Sequence, residues 1–324
     1  MNGSINILIL GYSRLVLKRI LPALQVSTLC NSIEIATKSN FHEVILGGKV
    51  RAVYDSYDKA IDSSEYNFVY ISLPNSLHDE YIIKCALKGF NLIIDKPAIL
   101  SYSSIEYLKK IRSATSIYIS ESVFFQYHPV LTKTLDILGG SNNIQFVSTQ
   151  FTIPALHTSD FRLQKSLGGG VLLDMSAYLM GLGRFIWNMN PKKIHVSSVE
   201  NDENGLVTSI SASIDYDHGR IVQCYFAFNS EYRNNAILYS KLGIVEIKRV
   251  FSAPPQYHSL FTLNRSNSSE YIDIGYHDSF LIYFETLIND FINNERRDGW
   301  FEKLCDSYND LELLINETNN KKNG

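Results

Sequence analysis

The sequence predicts an α/β chain of two domains: an N-terminal doubly wound parallel sheet, then an α+β domain whose sheet is mostly antiparallel. Three observations carry this expectation. The first third alternates short apolar runs with helical patterns, as βαβ units do. Beyond about Ser122, β-rich runs follow one another with few helices between, as in an antiparallel, half-exposed sheet. The chain has 324 residues, and roughly 150 per domain argues for two domains, here 1–122 and 123–324.

Taken in order, Ile5–Leu10 is a strand that ends at Gly11, and residues 15–26 form a helical stretch that Pro22 kinks or divides. Residues 32–37 and 67–73 are the next strands, the latter stopping before Pro74. Residues 91–94 and 116–120 supply two more, each after a helical segment. In the second half, 144–153, 195–199, 207–216, 220–228, 236–240 and 245–251 read as strands. Two helices interrupt them, 168–187, opened by three glycines, and 278–293. The polar tail 317–324 is expected to fray.

Composition removes several function classes. With 45% apolar and 19% charged residues the chain is neither disordered nor fibrous. Thirty basic against 33 acidic side chains, a net charge of −3, give no basic field for nucleic acid or an acidic membrane. No apolar run approaches the roughly 20 residues of a membrane span. Residues 1–7 lack the basic region and cleavage site of a signal peptide, so a cytoplasmic protein is expected. Cys30, Cys85, Cys224 and Cys305 are far apart and read as buried free thiols. The eight histidines show no H-x-x-x-H or H-E-x-x-H; His128 and His157 could line a pocket, but no metal is expected. A G-x-S-x-G elbow is also missing.

Gly11-Tyr12-Ser13-Arg14-Leu15-Val16 occupies the place of a dinucleotide fingerprint, G-x-G-x-x-G, after the first strand. Gly11 can make the tight turn and helix-start amides can face a pyrophosphate, the arrangement of a Rossmann domain. The other two glycines are replaced by Ser13 and Val16. Where a carboxylate would address an adenosine ribose stand Thr37, Lys38 and Ser39. Hydroxyls and an ammonium suit a 2′-phosphate, so NADP(H) is favoured over NAD(H).

Residues 70–78, ending Ser72-Leu73-Pro74-Asn75-Ser76-Leu77-His78, and Gly89-Phe90-Asn91-Leu92-Ile93-Ile94-Asp95-Lys96-Pro97 resemble the glucose-fructose oxidoreductase, inositol dehydrogenase and rhizopine-catabolism (Gfo/Idh/MocA) family. Its usual motifs there are "ATPN..H" and "AL..G.HV..EKP", with Asp95 standing here for the Glu. Phe161-Arg162-Leu163 and the block Gly168-Gly169-Gly170 to Tyr178 resemble the family's "R......GGG.L.D.G.(H/Y)". Glu121-Ser122, His128-Pro129 and Gly243 to Ile247 continue the match, which covers almost the whole chain in order.

The resemblance implies a hydride transfer between nicotinamide and a carbohydrate or polyol carbon, including nucleotide-linked keto-sugars. It places Leu73, Pro74, Asn75, His78, Asp95 and Lys96 beside the cofactor, and Lys96, Arg162, Asp174 and Tyr178 beside the substrate. Asp174 and Tyr178, four apart, share a helix face. Tyr178 is the expected proton donor or acceptor, with Lys96 polarising the carbonyl and lowering the phenol's pKa from near 10. Asp174 would accept a substrate hydroxyl. Relatives assemble through the C-terminal sheet, so a homodimer or homotetramer is expected. Two other readings stand beside this one: a non-catalytic nicotinamide-binding regulator, and an enzyme that recycles a tightly held NAD.

Overall fold

The computed structural model of the protein describes residues 3–39, 41–63 and 65–323. Met1 and Asn2, where the start was read as lacking a leader, lie outside the described residues, as does Gly324. The chain divides into two compact units, Met1–Ser122 with Phe280–Tyr308, and Val123–Ser279 with Asn309–Gly324. The sequence reading put all of 123–324 in one domain; residues 280–308 instead belong to the first unit.

The first unit opens with β1 (Ile5–Leu10), α1 (Leu21–Val26), β2 (Cys30–Ala36), β3 (Val50–Tyr54) and α2 (Tyr57–Ser63). It continues through β4 (Phe68–Ile71), α3 (His78–Leu87), β5 (Asn91–Ile94), α4 (Tyr102–Ala114) and β6 (Ile119–Glu121). All six strands are parallel in the order β3-β2-β1-β4-β5-β6, which reverses direction between β1 and β4, as doubly wound sheets do. Ahead of Pro22 the helix is π-type over Val16–Ile20, with the Leu21 N–H reaching back to the Val16 carbonyl, and α1 carries the helix on through the proline, which has no N–H to give.

The second unit contains α5 (Pro129–Ile137), β7 (Ile144–Thr152), α6 (Val171–Trp187), β8 (Lys193–Asn201), β9 (Val207–Tyr216) and β10 (Arg220–Ala227). There follow β11 (Arg233–Ser240), β12 (Gly243–Lys248), β13 (His258–Arg265) and β14 (Ser268–Tyr276). The eight strands run β14-β13-β12-β11-β7-β10-β9-β8, antiparallel except for the β7–β10 pair. Two helices close the chain, α7 (Ser279–Asn293) and α8 (Arg297–Asn323).

Central strands of the first sheet are covered on both faces, which is why β4 and β5 read as unbroken apolar runs. Val69 and Ile71 pack into a cluster with Leu8, Leu10, Tyr57, Tyr81 and Ile82. On the other face Phe68 meets Phe291 at 5.1 Å and Tyr70 meets Phe284 at 5.9 Å between ring centres, both partners coming from α7. Tyr118 donates to the Asp290 and Glu295 carbonyls at 3.0 and 2.9 Å. Helix α7 thus covers that face, while Phe301, Leu304 and Tyr308 of α8 join the cluster on the other, so residues 280–308 pack with the first sheet and are not an appendage of the second.

In the second unit α6 lays Val171, Met175, Leu179, Leu182 and Ile186 along one stripe against Ile210, Ala212, Ile214, Val222 and Phe226. Ser211, Ser213, Gln223 and Tyr225 alternate onto the opposite, open face. The tail does not fray as expected: helix α8 runs to Asn323. Leu311, Leu314 and Thr318 are buried on one of its faces, and Arg184 grips Asp310 at 2.8 and 2.6 Å. The apolar stripe is only three residues wide and hidden among polar ones. Among the described residues no helix is long and apolar enough to cross a membrane.

Cys30, Cys85 and Cys224 are buried and Cys305 is half-buried, all as free thiols. Burial is the largest cause that pushes the first three pKa values up, to about 11 for Cys30 and about 12 for Cys85 and Cys224. Thiolate is the reactive form, so a raised pKa leaves little of it at pH 8. The folded protein at pH 8 should therefore react with a disulfide reagent at Cys305 first, and release all four thiols only in denaturant. Rapid release of four from the native protein would contradict the burial.

Candidate active site

Four strands of the first sheet deliver their carboxyl ends together. Gly11 N–H donates to the Ala36 carbonyl at 2.8 Å, Ser72 N–H to Leu10 at 2.8 Å, Asp95 N–H to Ile71 at 2.9 Å, and Ser122 N–H to Ile94 at 2.8 Å. This is the edge at which open parallel sheets bind ligands. Gly11 has φ +98°, and a Cβ there would lie 2.1 Å from the Ser72 carbonyl oxygen, so no other residue fits this turn.

Ser13, where the fingerprint has glycine, is the helix cap. Its Oγ accepts the Val16 N–H at 3.1 Å and lies 2.9 Å from Ser72 Oγ, and its carbonyl accepts the Leu17 N–H at 3.0 Å. The amides of Arg14 and Leu15 precede the first bond within the helix and are left for an anion. Tyr12 beside them is half-buried. The turn, the cap and these two amides fit a dinucleotide pyrophosphate.

After β2, Thr37 is buried and its hydroxyl donates to the Ser39 carbonyl. Lys38 and Ser39 are exposed, and the Lys38 ammonium stands 5.0 Å from the centre of the Tyr57 ring. The buried Thr37 therefore shapes the turn, and Lys38 offers an exposed cation beside the neutral Ser39 hydroxyl.

Asp95 accepts hydroxyl protons from Tyr70, from Ser72 at 2.6 Å and from Ser122 at 3.2 Å. Burial, then the Asp95 charge, push the Tyr70 phenol far above its ordinary value, so it remains a donor. His78 is wholly buried, with its ring nitrogens 2.9 Å from the Pro97 carbonyl oxygen and 3.0 Å from that of Leu73. The sequence reading set it beside the cofactor; its ring instead braces the Leu73-Pro74-Asn75 turn against the segment after Lys96. Lys96 is half-buried, joins Pro97 through a cis peptide, and precedes Ala98, whose N–H donates to Glu121 at 2.8 Å.

The second unit carries the other expected residues. A Cβ at Gly169 would lie 2.4 Å from the Arg162 carbonyl oxygen, and Gly170 N–H donates to that same oxygen at 2.8 Å. The glycines thus let the backbone pass against Arg162 just before α6. Its guanidinium donates to Asp174 at 3.0 Å and Asp160 at 3.3 Å. Burial opposes its charge, but the two carboxylates outweigh burial and raise its pKa. One cation between two acids holds Asp174 in place.

One turn along, the Tyr178 ring packs on Phe125, Phe151 and Phe251 at 5.9, 5.4 and 5.3 Å. This aromatic wall was not foreseen: its members lie on three distant segments that no spacing rule links. Asp174 and Tyr178 do share one face of α6. His128 is buried and caps α5, its Nδ1 accepting the Val130 N–H at 3.1 Å, while His157 is exposed beside Ser159. Among the described residues no cluster of three His, Cys, Asp or Glu could hold a metal.

Gly11→Ala should lower Tm by several degrees, since both the left-handed backbone and the Ser72 carbonyl oppose a Cβ. Scanning calorimetry with and without NADPH checks this: the native protein gains Tm on adding the nucleotide and the variant does not. An unchanged response would show that the turn plays no part in nucleotide binding.

Family models match both halves of the chain: the oxidoreductase-family NAD-binding Rossmann fold over residues 5–120 and the GFO/IDH/MocA C-terminal domain over 139–246. Among curated proteins the chain is 24% identical, over 92% of its length and 91% of the other's, to the dTDP-3,4-didehydro-2,6-dideoxy-alpha-D-glucose 3-reductase of Actinomadura kijaniata. It is 20% identical to an NADP(+) D-xylose 1-dehydrogenase of Haloferax volcanii, over 76% of this chain and 77% of that one. Among solved structures, a 3-ketoreductase from Actinomadura kijaniata in complex with NADP and TDP-benzene has a TM-score of 0.84, with 22% identity and 95% of each chain covered. Given a glycine turn in the place of a dinucleotide fingerprint, a sheet order of the doubly wound type, and the two family domains in sequence, this protein belongs to the Gfo/Idh/MocA family of NAD(P)-dependent oxidoreductases.

Proposed function

We propose that this enzyme reduces a keto group of a carbohydrate, drawn from the nucleotide-linked sugars, with NADPH as the preferred reductant. The observation that carries the reading is Tyr178, set on an aromatic wall one helical turn from a carboxylate that Arg162 holds. A phenol on such a wall has little competing water and keeps one proton to give. The family relatives support the substrate class: those named above act on a nucleotide-linked deoxysugar and on xylose.

When bound, the nicotinamide supplies the hydride, which is the difficult chemistry. The protein's own residues do the rest. Amides of Arg14 and Leu15 take the pyrophosphate at the helix start. Lys38 and Ser39 address the 2′-phosphate. Lys96 polarises the carbonyl, Tyr178 delivers a proton to its oxygen, and Asp174 accepts a hydroxyl of the sugar. Leu73, Pro74 and Asn75 form the turn beside the nicotinamide, and His78 and Asp95 hold that turn and Lys96 in place. The open sheet face bearing Gln223 and Tyr225 is our candidate surface for self-association.

Fluorescence titration should give NADPH an affinity at least about tenfold above that of NADH, and Lys38→Ala should narrow the gap, since a charge-assisted contact is worth roughly 1.5–3 kcal/mol. Equal affinities would remove the 2′-phosphate role.

Lys96→Met and Tyr178→Phe should each lower kcat about a hundredfold or more while NADPH affinity stays within a few fold. Stopped-flow NADPH oxidation with a panel of keto-sugars reads this out, and undiminished turnover in either variant would take that residue out of the mechanism.

A further inference from the structure

At the end of the second sheet, against which helix α6 and its Tyr178 pack, there is a cluster to which none of these roles belongs. Arg249 follows β12 with φ +53°, a left-handed backbone that a side chain of this kind adopts at a cost. Its N–H donates to the Asn234 carbonyl at 2.6 Å. Asn234 is itself buried. Its side chain donates to Ser252 Oγ at 2.7 Å and to Tyr232 OH at 3.3 Å, and accepts the Phe251 N–H at 3.0 Å. One buried amide thus fixes both Tyr232 and the turn that carries Arg249.

The Arg249 guanidinium stands 5.1 Å from the centre of the Tyr232 ring and 5.4 Å from that of Tyr257, with Nη1 3.5 Å from Tyr232 OH. Among the described residues no carboxylate pairs with it; Glu246, on the strand before, lies 3.7 Å from Arg233 instead. Two rings hold the fork without neutralising it, and Arg249 is only half-buried. A planar cation prepared in this way suits phosphate oxygens, and the flanking rings suit a planar base.

The cluster is continuous with the candidate active site. Tyr178 touches Phe151 at 5.4 Å, and Phe151 touches Tyr232 at 6.4 Å. We propose that Arg249, between Tyr232 and Tyr257, anchors the diphosphate of a nucleoside-diphosphate sugar, so that the sugar presents its carbonyl at Tyr178. The proposal rests on the carbohydrate reading of the same site. It explains why a costly backbone is kept at Arg249: the turn aims a side chain that the packing of the sheet does not need.

Thymidine diphosphate titrated into the NADPH-loaded protein by calorimetry tests it. The native protein should bind the diphosphate, and Arg249→Gly should bind it at least tenfold more weakly. That variant should keep or raise Tm, because glycine takes the left-handed backbone without strain. Arg249→Gln, which keeps length and loses charge, gives the same readout should the glycine variant not fold. Arg249→Lys should fall between, keeping charge but not the fork.

No binding by the native protein, or native affinity in Arg249→Gly or Arg249→Gln, overturns the anchor. Turnover of free keto-sugars without diphosphate affinity sinks the anchor and leaves the reductase reading intact. Diphosphate binding lost in Arg249→Gly, with no nucleotide-linked keto-sugar turned over, supports the anchor and removes the reductase reading.

Discussion

One carboxylate ties together the edge from which the cofactor half of this enzyme is built. Asp95 accepts hydrogen bonds from Tyr70 and Ser72 on and after β4 and from Ser122 after β6. Ser72 in turn meets Ser13, which caps the helix after β1. A line of hydroxyls therefore runs from the residue before Lys96 to the start of the helix after β1. Each bond to the charged group is worth roughly 1.5–3 kcal/mol when shielded from water, enough to hold four strand ends in one arrangement. The loss of a fingerprint glycine at Ser13 then has a physical reason: the serine joins this network, which a glycine could not.

The second unit solves a similar problem with a different device. Here a cation, Arg162, is placed between Asp160 and Asp174 by a glycine run that lets two backbones touch. The acids keep the guanidinium charged and the guanidinium keeps Asp174 in one orientation. Tyr178 is packed as well, three aromatic rings fixing its plane.

Much of this was legible in the sequence, for identifiable reasons. Strands β1, β4 and β5 announce themselves because burial on both faces leaves room for only Asn6 and Asn91 among apolar residues. Strand β9 matches its expected bounds, residues 207–216, because one face is core and the other open. By contrast β14 is exposed along most of its length and turns only Ile272 and Ile274 to the core, and β3 hides in a short, half-exposed run. The expected site residues sit at strand ends and on one helix, where motif spacing is meaningful. The aromatic wall, the burial of His78 and the pairing of Arg162 were not legible, since each depends on segments that only the folded chain brings together. The return of residues 280–308 to the first unit was missed for the same reason.

That return has a consequence for the birth of the protein. The chain passes between the two units three times, after Ser122, after Ser279 and after Tyr308. While the ribosome is still making the middle of the chain, the parallel sheet has one face uncovered, with Phe68 and Tyr70 lacking Phe291 and Phe284. Folding from the N-terminus onward, the usual order for domains during synthesis, cannot finish the first unit before the last tenth of the chain emerges. The nucleotide half therefore matures last although it is written first, and a cell making this enzyme must shelter an unfinished sheet for most of its translation.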